Sequence, residues 1–215
     1  MPFDFLKRLR TPAKPVTSAD AAPVAAGDGI PFDGLTEEWR LAGRMLIAGR
    51  LSDALNKREP IEIVDVRWAP VDGSAPFAPA SSLKSVDPYD LVLVFATDDS
   101  LPEMNDAERN AHKVHKVTYE VALEVPPYRV IGTVQLYPGS EPDSLLSRSS
   151  EMFVPILEAS ATMGTRQVGS SMPTTILVNR QYLRGVEQVD ARTGERYEKL
   201  PGQSLGGTNW TDRAR

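Results

Sequence analysis

The sequence predicts a mainly β protein, α+β at most, made of two tandem small β-barrel or sandwich-like units with short helices. Three observations predict it. First, Glu38-Trp39-Arg40-Leu41-Ala42-Gly43-Arg44-Met45-Leu46 lines up with Pro127-Tyr128-Arg129-Val130-Ile131-Gly132-Thr133-Val134-Gln135. In both stretches an aromatic precedes an arginine and stands four residues before a glycine. An internal repeat constrains architecture before any other inference. Second, the segments after the two glycines share one order: an acidic turn at Asp53 or Asp143, an apolar run at 61–66 or 152–157, and a closing apolar run at 91–95 or 175–179. Third, Val117, Tyr119, Val121, Leu123 and Val125 alternate strictly, the period of a half-buried strand.

Each segment has its own reading. Residues 1–10 place Pro2, Phe5, Leu6 and Leu9 at helical-face spacing, giving an amphipathic N-terminal peptide. Residues 11–29 are rich in proline and alanine without periodicity, the composition of a flexible tether. A first β-rich unit is expected over 30–100, with a long loop at 70–86. Residues 101–115 form a polar connector, and a second β-rich unit covers 116–190. There Pro126-Pro127 ends one strand, Tyr128 to Leu136 forms the next, and Tyr182 to Val189 is expected to pair back on 174–179. Residues 191–215 read as a mobile tail. Gly43 and Gly132 lie inside strands, where glycine marks a bulge or a close backbone approach. Asp53 and Asp143 are expected to cap the short helices beside them.

Composition narrows the function classes. The formal net charge of −5 argues against general binding to a nucleic-acid backbone, which needs clustered lysine and arginine. With no cysteine there is neither a disulfide nor a thiolate metal site. The N-terminus lacks the apolar core of a secretory signal, which points to the cytoplasm.

No residue set predicts catalysis, a cofactor or a metal. His112 and His115 have ligand spacing, but they are the chain's only histidines and Lys113 and Lys116 flank them. Gly164 to Ser171 lacks the lysine and the following helix of a phosphate loop. The strongest candidate site is the N-terminal peptide, where Phe3, Phe5, Leu6 and Leu9 accompany Lys7, Arg8 and Arg10. An apolar face beside a basic one suits a partner's groove or an anionic membrane surface.

The second unit resembles an uncharacterised bacterial β-rich domain family. Val125-Pro126-Pro127-Tyr128-Arg129-Val130-Ile131-Gly132-Thr133-Val134 and Tyr137-Pro138-Gly139-Ser140 carry the resemblance, and Leu51-Ser52-Asp53-Ala54-Leu55-Asn56 carries it in the first unit. The second unit departs from the pattern at Pro142-Asp143-Ser144-Leu145-Leu146-Ser147. The resemblance implies tandem copies of one domain and brings no activity with it. The leading expectation is a non-enzymatic interaction or scaffold protein with a protein partner. One alternative is a peripheral membrane protein docking through residues 2–10 at the inner membrane face. Another is a small-ligand binder or enzyme working at the cleft between the units. Exposed strand edges leave room for a homodimer.

Overall fold

The computed structural model describes residues 29–96, 116–147, 151–169, 174–190, 193 and 195. The protein is mainly β. Its elements in chain order are β1 (Ile30–Leu35), β2 (Trp39–Met45), helix α1 (Leu51–Asn56), β3 (Ile61–Pro70), β4 (Ala78–Pro79), β5 (Ser85–Val86) and β6 (Leu93–Ala96). The later segment supplies β7 (Val117–Val125), β8 (Tyr128–Leu136), β9 (Phe153–Met163), β10 (Arg166–Val168), β11 (Thr174–Asn179) and β12 (Gly185–Gln188). Short 3₁₀ turns occupy Pro88–Asp90 and Pro142–Leu146.

Among the described residues all pairings are antiparallel, and the strand order is β12-β7-β8-β9-β11-β6-β1-β2-β3-β4, with β10 beside β9 and β5 beside β3. The same scheme of pairing occurs twice. β1, β2 and β3 form a meander, β6 returns to β1, and β4 and β5 lie along the far edge of β3. β7, β8 and β9 form a second meander, β12 returns to β7, and β10 and β11 lie along the far edge of β9.

The two meanders join where β6 pairs with β11. These strands are buried on both faces. Leu93, Phe95, Ile176 and Val178 belong to one apolar cluster, and Val94 and Leu177 to the other. Alternating side chains of a strand point to opposite faces, so this pair is a wall shared by two cores. The first cluster is lined mainly by β7, β8 and β9, through Val121, Leu123, Tyr128, Val130, Ile156 and Ala161. Into the second go Phe32, Leu41, Met45, Leu55, Ile63 and Val66, together with Met152 and Phe153 from the start of β9.

Both interior glycines sit at bulges. Between β2 and β3 the register shifts so that Gly43 faces both Asp65 and Val66. Between β8 and β9 it shifts so that Gly132 faces both Glu158 and Ala159. Asp65 (φ 54°) and Glu158 (φ 48°) each take the left-handed conformation at the extra position. A Cβ on Gly132 would lie 2.8 Å from Ala159 Cα, and one on Gly43 would lie 2.9 Å from the Val64 carbonyl oxygen. A side chain at either site would separate the strands, so the bulge and the glycine require each other.

Four expectations need correction. The run 175–179 is not the counterpart of 91–95, since β6 pairs with the first strand of its meander while β11 pairs with the third strand of the other, and β12 takes the place that matches β6. The segment after β11 does not pair back on 174–179, because both edges of β11 are already taken by β9 and β6. Asn179, wholly buried, accepts from the Gln181 amide and donates to the carbonyls of Leu91 and Pro88, and the chain then turns away to place β12 on β7. The 70–86 excursion is not wholly loop, since β4 and β5 each pair briefly with β3. Asp53 and Asp143 cap nothing. Each lies inside the first turn of its helix, after Arg50 and Glu141 at the caps, and neither helix has a side-chain cap bond. An acidic group there still complements the partial positive charge of a helix start.

Candidate functional site

The second strand of the first meander carries alternating residues to its two faces. Leu41 and Met45 go to the core, while Arg40 faces outward beside Asp33 of β1. Arg40 Nε donates to Asp33 Oδ1 at 2.9 Å, and a second nitrogen donates to Oδ2, so the pair is bidentate. This bonding holds the guanidinium pKa above its ordinary value, against the opposing effect of partial burial. Trp39 stacks on Trp68 of β3, with centroids 4.7 Å apart and planes 22° apart. That contact lies on the opposite face of the β2–β3 pair from Arg40, where Trp68 packs against the second cluster.

The loop after β3 folds back over this face. Asp72 accepts from the Ser74 amide at 2.8 Å, closing a tight turn, and the chain then passes Pro76 and Phe77 before β4. Hydrogen bonds from Ser74 hold the Asp72 carboxyl below the usual range, with a smaller contribution from Arg166. The exposed Phe77 ring is approached by two guanidinium groups, with Arg40 Cζ 5.5 Å and Arg67 Cζ 5.6 Å from its centroid. Both lie within cation–π range.

The opposite wall comes from the second meander. β9 runs on past Met163 into a hairpin, and β10 carries Arg166 and Val168 back along it. The result is a cleft of about 190 Å³ between the two segments, lined among others by Leu35, Arg40, Val71, Phe77, Arg166 and Val168. Beneath the hairpin, the Tyr128 hydroxyl donates to the carbonyl of Thr36 in the β1–β2 turn. Thr36 Oγ1 in turn accepts from the Trp39 amide at 2.9 Å. Burial, and then the charge of Glu37, push the Tyr128 phenol far above its ordinary value. The two walls are therefore tied together by a buried hydrogen bond close to the cleft.

Arg40, Arg67, Phe77 and Arg166 were not singled out by the sequence as a site. Arg40 was visible only as part of the repeat, and its companions lie far from it along the chain. Gly164 and Thr165, part of the segment compared with a phosphate loop, form the β9–β10 turn, and Arg166 to Val168 form a strand. The candidate residues Phe3, Phe5, Leu6, Lys7, Arg8, Leu9 and Arg10 lie outside the described residues, as do His112 and His115, the tether up to residue 28, the connector and most of the tail. Among the described residues no group of three or more His, Cys, Asp or Glu side chains could hold a metal ion. No helix among them is long and apolar enough to cross a membrane.

Comparison with protein-family models, with curated proteins and with solved structures finds no match to this chain.

Proposed function

We propose that this chain is a non-enzymatic interaction protein, built from two copies of one β-meander module, that engages a partner at the cleft between them. One observation carries the reading: the cleft sets Arg40 and Arg166 beside the exposed Phe77 ring. Its charged members are arginines, which stay protonated in proteins and serve as fixed donors. Fixed donors beside an exposed aromatic ring recur in binding surfaces, where arginine and aromatic residues dominate the energetics. The duplication is supported by the matched bulges, in which Gly43 faces Asp65 and Gly132 faces Glu158 at the same step of the same meander.

The test is partner capture with the full chain as bait, followed by calorimetry of each purified candidate against the chain. A saturable one-to-one complex is the expected result. The reading is lost if no protein binds above a control bait while a screen of metabolites and metals raises the melting temperature. Repeating the capture with a Δ1–10 variant assigns or removes the Phe3–Arg10 peptide as a second contact. An unchanged partner profile would remove it.

A further inference from the structure

We infer that the cleft takes the carboxylates of an acidic peptide segment supplied by the partner. This rests on the reading of the chain as an interaction protein. The three guanidinium groups are not equivalent. Arg40 is already neutralised by Asp33. Arg67 touches the Phe77 ring and, among the described residues, makes no ion pair with a carboxylate. Arg166 feels the charge of Asp72 without reaching ion-pair distance of it. Both Arg67 and Arg166 are exposed. One open guanidinium fork, Arg166, thus lines the cleft, and a second, Arg67, stands beside its Phe77 wall.

A planar fork matches the two oxygens of a carboxylate, and a charge-assisted bond of this kind is among the stronger hydrogen bonds. The chain as a whole carries a net charge of −5, so the attraction is local to the cleft. At about 190 Å³ the space is smaller than the roughly 300 Å³ at which small-molecule sites begin. It suits one or two side chains better than a nucleotide. Val71, Pro76 and Phe77 supply accessible apolar surface for the methylenes of a glutamate.

The experiment titrates the full chain with three probes: an acetylated peptide of alternating glutamate and glycine, its glutamine counterpart, and inorganic phosphate. Wild type, Arg67→Gln, Arg166→Gln and the double variant are compared, with thermal unfolding as the check on folding. The acidic peptide should bind wild type at low ionic strength and weaken steeply with salt. Each single variant should lose about tenfold in affinity, in keeping with one charged hydrogen bond. The glutamine peptide should not bind, and phosphate should not compete. Unchanged binding by folded single variants, or no binding of the acidic peptide, overturns the assignment. Competition by phosphate at equal strength also overturns it, by reducing the cleft to a simple anion site. If captured partners bind the double variant as well as wild type, the cleft assignment fails and the interaction reading stands. If the peptide binds through both arginines but no partner is ever captured, the interaction reading fails alone.

Discussion

A methyl group at position 132 has nowhere to go. It would meet the Cα and Cβ of Ala159 and the Cγ2 of Ile156, all at 2.8 Å, and backbone in a paired strand cannot step aside as a flexible side chain can. Gly132→Ala should cost about 2–3 kcal/mol, in the range of core overpacking. At position 43 the obstacles are the Val64 carbonyl oxygen at 2.9 Å and Val66 Cα at 3.2 Å, and Gly43→Ala should cost somewhat less, about 1–2 kcal/mol. Urea unfolding of the two variants measures both numbers. A loss under about 0.5 kcal/mol at position 132 would show that the strands can part there. Tyr128 gives a second residue-scale test. Replacing it by phenylalanine leaves the Thr36 carbonyl without its donor, at a cost of about 1–2 kcal/mol. The phenol's folded pKa lies above its unfolded value, so its contribution is complete below about pH 10 and is lost as pH rises from there through the folded value. In that alkaline window the wild type should lose stability with pH more steeply than Tyr128→Phe. Parallel pH profiles of the two proteins would contradict this.

The elements hold each other through a few side chains that replace missing backbone partners. α1 is only six residues long and too short to be stable by itself. Leu51 and Leu55 anchor it in the second core, and Asn56 at its end clamps β9. Asn56 Oδ1 accepts from the amides of Met152 and Phe153, both at 2.8 Å, and Nδ2 donates to the Phe153 carbonyl at 3.3 Å. Asn56→Ala strands two amides beside the core and should cost about 2–4 kcal/mol. Asn56→Asp keeps the acceptor and should cost distinctly less, so the order of the two denaturation midpoints decides the role. The sequence exposes these elements unevenly. β7 and β8 were readable because alternation and the Pro126-Pro127 break are local features, and the observed bounds Val117–Val125 and Tyr128–Leu136 match them closely. The bulges were readable because an apolar strand gives up a side chain mainly where its backbone bends or another backbone comes close. Pairing of β12 with β7 was not readable, since it depends on β11 being occupied along both edges by strands distant in sequence. The cleft was hidden for a similar reason. An isolated Arg67 or Arg166 looks like any solvated charge until the fold brings β3 and β10 to one face. Asp53 misled because its position beside a short apolar turn resembles a cap, while the helix begins two residues before it.

At the scale of the molecule, the shared wall makes the two meanders depend on each other. Leu35, Val92, Leu93 and Phe95 come from the first segment but pack in the cluster built mostly by the second. Met152, Phe153 and Leu177 make the reverse contribution. Exposing the first four side chains would forfeit roughly 6–12 kcal/mol of burial, comparable to the whole stability of an ordinary domain, about 5–15 kcal/mol. The edge of β6 would lose β11 at the same time, and Asn56 would lose its amide partners. A fragment of residues 29–96 should therefore fail to fold, even though it holds a complete β1–β2–β3 meander with β6 returning to β1. The intact chain should unfold in one transition, with calorimetric and van 't Hoff enthalpies agreeing. Amide dispersion in the nuclear magnetic resonance spectrum of the fragment, together with the calorimetry of the full chain, decides the point. A dispersed, cooperatively melting fragment would mean that each meander is stable alone. The β6–β11 junction would then be a contact between independent modules, not the common wall of a single folding unit.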